Sequence, residues 1–161
     1  MLAEIVAVGV IATLAMDLWQ RFLQVIGVPS GSWGLIGRWV AGFLRGVLVN
    51  PQIAAAPKVS GEVAIGWTFH YAVGIAYAAL YLGFMSLVLG SAPTLFSALL
   101  FAIALLVAPW LVMQPALGMG VMASRTPKPA AVRAVNISVH TVFGLGLYLG
   151  VLVWSAAFNP P

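Results

Sequence analysis

Long apolar runs alternate along the chain with short breaks rich in glycine, proline and polar residues. The first run, Leu2 to Gly27, closes at Val28-Pro29-Ser30-Gly31, a turn signal. The second extends from Val63 to Leu89 and stops at Gly90-Ser91-Ala92-Pro93. The third covers 94–123, and the fourth covers 131–158, ahead of Asn159-Pro160-Pro161. Each run exceeds the roughly 20 apolar residues needed to cross about 30 Å of hydrocarbon. The pattern therefore predicts four transmembrane helices over 2–27, 63–89, 94–123 and 131–158.

Residues 32–49 carry a different period. Leu35, Ile36, Trp39, Val40, Phe43, Leu44, Val47 and Leu48 fall at the i, i+3, i+4, i+7 spacing of one helical face. The other face holds Gly34, Gly37, Arg38, Ala41, Gly42, Arg45 and Gly46. This predicts an amphipathic helix lying in the membrane interface, with Arg38 and Arg45 meeting lipid headgroups. The alternative, a fifth span, would bring two arginines into hydrocarbon, where charge is costly. The expected fold class is an all-α membrane protein: a four-transmembrane-helix bundle plus one interfacial amphipathic helix, in a single transmembrane domain over 1–161.

Composition agrees with that pattern. Of the 161 residues, 63% are hydrophobic and 6% charged, whereas soluble domains carry roughly a quarter charged residues. The absence of cysteine excludes disulfides, iron–sulfur clusters, thiolate zinc sites and c-type haem attachment. Met1-Leu2-Ala3-Glu4 lacks the basic start of a signal peptide, so the first run is expected to remain in the mature protein. The seven basic residues, which against three acidic ones leave a net charge of +4, are scattered and flank the apolar runs, which points to membrane topology and away from a nucleic-acid partner. Arg21, Arg38, Arg45 and Lys58 lie in or beside the first connection; Arg125, Lys128 and Arg133 lie in or beside the third. With four crossings these connections share a side. The positive-inside rule makes that side cytoplasmic and leaves both termini outside the cytoplasm.

The second and fourth runs echo each other. Gly66-x-x-x-His70-x-x-x-Gly74 matches Asn136-x-x-x-His140-x-x-x-Gly144, and four-residue spacing puts each set on one helix face. Met16-Asp17 and Met113-Gln114 form a weaker echo between the first and third. Two readings stand: two parallel two-helix repeats, as known among transporters, or coincidence in apolar sequence.

Polar residues within a membrane span are few and each needs an account. At 1.5 Å per residue, His70 lies about 12 Å from Glu62, His140 about 10 Å from Arg133, Gln114 about 16 Å from Arg125 and Asp17 about 6 Å from Arg21. Asp17, His70, Gln114 and His140, one from each span, are thus expected at comparable depth as a ligand-binding layer. Asp17, His70 and His140 suit a transition metal, two facing histidines suit a b-type haem, and histidine with aspartate suits a proton relay. Plainer readings stand beside these: an Asp17–Arg21 pair one turn apart, and histidines and Gln114 that only join helices. Pro109 and Pro115 are expected to free carbonyls near Leu105 and Leu111, and Thr13, Asn136 and Thr141 to supply further hydrogen bonds. Met16, Met113, Met119 and Met122 read as core fillers. No Gly-x-Ser-x-Gly, Walker loop or His-Glu-x-x-His occurs, so no catalytic residue is assigned.

Met113-Gln114-Pro115-Ala116-Leu117-Gly118 and Ala123-Ser124-Arg125-Thr126-Pro127 carry a family resemblance, with Gly37-Arg38-Trp39, Ala54-Ala55-Ala56-Pro57, Gly61-Glu62-x-x-x-Gly66-Trp67 and His140-x-x-Phe143-Gly144-Leu145-Gly146-Leu147-Tyr148. Over nearly its whole length the chain resembles a family of small bacterial inner-membrane proteins known only as a domain of unknown function. The resemblance implies a bacterial inner-membrane location and a four-helix fold, and brings no activity. The expected partners are the lipid bilayer and other membrane subunits or a second copy. Three functions compete: handling of a small ligand, metal or proton; an accessory or assembly subunit without catalysis; and, last, an enzyme acting on lipid or quinone.

Overall fold

The computed structural model describes residues 1–29 and 31–158; Ser30 and Asn159 to Pro161, which belong to the expected closing turns, lie outside the described residues. The described chain is helical throughout its regular structure. Four helical stretches are long and apolar enough to cross a membrane: Leu2–Val25, Glu62–Val88, Leu95–Ala116 and Pro129–Phe158. Helices suit this setting because hydrocarbon offers no partner for backbone groups, and a helix satisfies them internally.

In chain order the elements are α1 (Leu2–Val25), α2 (Trp33–Phe43), α3 (Glu62–Gly83), α4 (Leu95–Ala104), the one-turn α5 (Gln114–Ala116) and α6 (Pro129–Phe158). A π-helical turn, Phe84–Val88, extends α3, and a second, Ala108–Met113, leads into α5. Two expected boundaries shift by more than two residues. The third span ends at Ala116 instead of 123, because Gly118 takes φ +82° and the chain turns back on itself with Gly118 N–H donating to the Pro115 carbonyl. The amphipathic helix ends at Phe43 instead of 49, where Arg45, Gly46 and Val47 donate back to the carbonyls of Gly42 and Phe43. Both ends satisfy carbonyls that a helix terminus would otherwise leave exposed.

The chain forms two compact units, with α3 and α6 contributing to both. The first takes in Met1–Val28, Tyr71–Ala104 and the chain from Ser138. It is a closed four-helix bundle. A β-carbon at Gly146 of α6 would come within 2.7 Å of the Ala12 Cα on α1, so these two backbones nearly touch. Between membrane helices such approach replaces the hydrophobic drive that lipid cannot supply. Gly74 of α3 faces Thr13 of α1, and Gly144 of α6 faces Ala98 and Ala102 of α4, so both echoed glycines are helix-packing positions. The remaining side of the ring is polar: the buried Tyr81 hydroxyl meets Ser97 Oγ at 2.8 Å. Ser97 and Thr94 also cap α4 reciprocally, each hydroxyl accepting from the other's backbone N–H.

The second unit takes in Pro29–His70 and Leu105–Ile137. Here α2 crosses the start of α3 at close range: a β-carbon at Gly37 would collide with the Glu62 carbonyl, and one at Gly66 with the Trp33 carbonyl. Trp39, Ile53 and Ala116 form the core, with Leu35, Val40, Phe69, Met113 and Leu117 packed around them. The loop after α2 is tied in by Asn50 N–H donating to the Ala116 carbonyl at 2.8 Å and by Trp39 Nε1 donating to the Leu48 carbonyl at 2.8 Å.

Candidate functional site

The polar centre of the second unit grows out of the interrupted third span. Pro109 and Pro115 each lack an N–H, so regular i→i−4 pairing cannot pass through them. The backbone takes up π spacing instead, and Gln114 N–H donates to the Pro109 carbonyl five residues back. The carbonyl of Leu105, expected to be freed, accepts from Ala108 N–H at 3.0 Å. Single π turns of this kind are rare and recur at functional sites.

This geometry turns Trp110 and Gln114 toward Asn136 of α6. Trp110 Nε1 donates to Asn136 Oδ1 at 3.0 Å, and Gln114 Nε2 donates to the same oxygen at 2.7 Å. Indole nitrogen is a donor only, so the oxygen of Asn136 must face Trp110. Gln114 must then present its NH2 group to that oxygen, because its own oxygen would be repelled there. The orientation of Gln114 is therefore forced by Trp110, and it leaves Gln114 Oε1 buried with no donor among the described residues. Gln114 is 2% exposed. An orphaned buried acceptor costs about 1–3 kcal/mol, which a bound N–H or O–H group would recover.

The other expected site residues divide between the units. His70 closes the second unit, half-buried and tilted against Trp33 with ring centroids 4.2 Å apart; Trp67 meets the same imidazole edge-on at 5.8 Å. Asp17 and His140 belong to the first unit and are both half-buried. The Tyr71 hydroxyl donates to Asp17 Oδ2 at 2.9 Å, joining α3 to α1. Interhelical hydrogen bonds in membranes average about 0.6 kcal/mol. Tyr71→Phe should therefore lower stability by about that much, read as a small drop in the thermal midpoint in detergent. Arg21 reaches Gln24 Oε1 at 3.3 Å. Among the described residues no group of three histidine, aspartate or glutamate side chains is placed to hold a metal ion.

The side chain of Arg38 is turned inward. It is 8% exposed and grips Glu62 in a two-point pair, Nε to Oε2 at 2.8 Å and Nη2 to Oε1 at 3.0 Å. Its Nη1 donates to the carbonyls of Ile53 at 2.9 Å and Ala56 at 2.7 Å. The planar fork of arginine suits this task, binding a carboxylate and two loop carbonyls at once. Arg45, the other expected headgroup residue, is exposed. Sequence reasoning missed Trp110 and Tyr71 as polar partners, since a tryptophan or tyrosine in an apolar run is indistinguishable from packing until its partner is known.

No curated protein and no solved structure gives a significant match to this chain. The model of one family matches residues 6–154, in keeping with the resemblance carried by the motifs around Gln114 and His140. The chain belongs to that family, described as "Protein of unknown function (DUF2938)".

Proposed function

We propose that this chain is a multi-pass protein of the bacterial cytoplasmic membrane that handles a small ligand bearing an N–H or O–H donor, held at Gln114. One observation carries the reading: Gln114 Oε1 is buried, oriented by Trp110 and Asn136, and has no donor among the described residues. Amide and indole groups favour a neutral hydrogen-bonding ligand over a transition metal or haem, which call for imidazole, thiolate or carboxylate. Asp17, His70 and His140 remain in the reading as polar groups on membrane-spanning helices, where their cost is itself a reason to expect a role. The positive-inside rule supports the orientation: Arg38, Arg45, Lys58, Arg125, Lys128 and Arg133 all belong to the second unit, which would face the cytoplasm, with both termini outside.

Native mass spectrometry of protein purified in mild detergent tests the ligand. Wild type should carry a small-molecule adduct that Gln114→Leu loses and Leu145→Ala, a change on an exposed face of α6, keeps. A wild-type protein without adduct, matched in stability by Gln114→Leu, would sink the proposal.

A further inference from the structure

A second feature lies apart from Gln114. A cavity of about 220 Å³ opens between the C-terminal end of α2 and the loop that follows it. Its walls include Arg38, Arg45 and Lys58, together with Trp39, Gly42 and Asn50. The volume is below the roughly 300–1,000 Å³ of pockets that enclose whole drug-sized ligands, and suits a compact charged group.

The charge balance around it is uneven. The chain has three acidic residues, Glu4, Asp17 and Glu62, and only Glu62 belongs to this unit. Glu62 is held in two-point contact by Arg38. Lys58 also lies in the field of that carboxylate. Three cations against one carboxylate leave a surplus of two, carried by the exposed Arg45 and Lys58. The last α2 carbonyls are engaged by the backbone, Gly42 O accepting from Arg45 and Val47 N–H and Phe43 O from Gly46 N–H. Val47 of its wall is 44% exposed, and Leu44, Leu48 and Val49, which neighbour wall residues along the chain, are 94%, 60% and 62% exposed. Exposed aliphatic side chains beside a basic cavity are the arrangement by which an interfacial segment meets anionic lipid.

We infer that this cavity binds the phosphate of an anionic phospholipid headgroup, with Arg45 and Lys58 as its charge partners, Asn50 as a hydrogen-bonding wall, and Leu44, Leu48 and Val49 against the acyl chains. Arg38 shapes the cavity through its hold on Glu62, Ile53 and Ala56 and takes no direct part.

The test titrates the purified full chain in mild detergent with phosphatidylglycerol, phosphatidylcholine or inorganic phosphate, reading lipid adducts by native mass spectrometry and the thermal midpoint in parallel. Phosphatidylglycerol should bind best and raise the midpoint, with the effect weakening as salt screens the cations. Each cation near a membrane surface adds roughly fivefold to anionic-lipid affinity, so R45Q/K58Q should bind about 25-fold more weakly while its unliganded midpoint and helical spectrum stay at wild type. The single variants R45Q and K58Q, each about fivefold weaker, serve if the double variant is poorly folded. Equal binding of phosphatidylcholine, or undiminished phosphatidylglycerol binding in the variants, would overturn the site. Equal stabilisation by inorganic phosphate would overturn the lipid source.

Discussion

Replacing Glu62 with alanine is expected to disrupt the second unit more severely than replacing Arg38 and Glu62 together with methionine. Arg38 is buried and donates to Glu62 at two points and to the carbonyls of Ile53 and Ala56. Glu62 also accepts from Val59 N–H at 3.0 Å, so the carboxylate organises the loop leading into α3. Hydrogen bonding to this carboxylate raises the pKa of Arg38 above its already high ordinary value, so the guanidinium cannot escape by losing its proton. Removing one partner leaves a buried charge uncompensated, whereas an apolar pair of similar volume removes the charge altogether. Thermal unfolding in detergent should rank wild type and the double methionine variant above E62A. An E62A midpoint equal to wild type would show that the pair has no structural role.

The second large effect concerns the first unit. Gly146→Leu should cost about 1–3 kcal/mol, the usual range for overpacking a close contact. For a domain of this size that corresponds to a fall of roughly 2–12 °C in the thermal midpoint. The cause is local and rigid: the first added carbon would sit 2.7 Å from the Ala12 Cα and 3.1 Å from the Ala15 Cβ. Favourable carbon contacts lie at about 3.5–4.0 Å, so α1 and α6 must separate along their seam. Leu145, the adjacent residue, is 46% exposed, and Leu145→Ala should change the midpoint little. Equal effects of the two changes would contradict close α1–α6 packing.

The spans were the most legible part of the chain, for a physical reason. Hydrocarbon compels internal backbone pairing, so a long apolar run has essentially one local solution. Boundaries were less legible where backbone conformation, and not hydropathy, ends a helix. The apolar third run continues past Ala116, yet Gly118 and Gly120 both take positive φ, and Met122 and Ala123 follow with φ of 52° and 59°. Hydropathy carries no trace of that turn.

The polar residues show the same division. Gln114 was identifiable as a costly side chain in an apolar run, and Asn136 as a further hydrogen-bonding residue. Their direct contact was not, because 22 residues separate them and the π turn resets the helical phase. Arg38 is the instructive case. Periodicity placed it opposite the apolar face, which suits water, headgroups or a partner helix equally. Gly34 and Gly37 on that same face were the discriminating signal: both are buried, and Gly37 packs against the start of α3. A face built from small residues admits another backbone, and an arginine there meets whatever that backbone carries.

The most direct measurement of the ligand-handling role is an experimental density map of the protein in lipid nanodiscs, at a resolution that separates waters. The expected result is a non-protein feature larger than a water within about 2.7–3.2 Å of Gln114 Oε1, absent in Gln114→Leu. A lone water there, or a protein donor swung in to meet the oxygen, would contradict it.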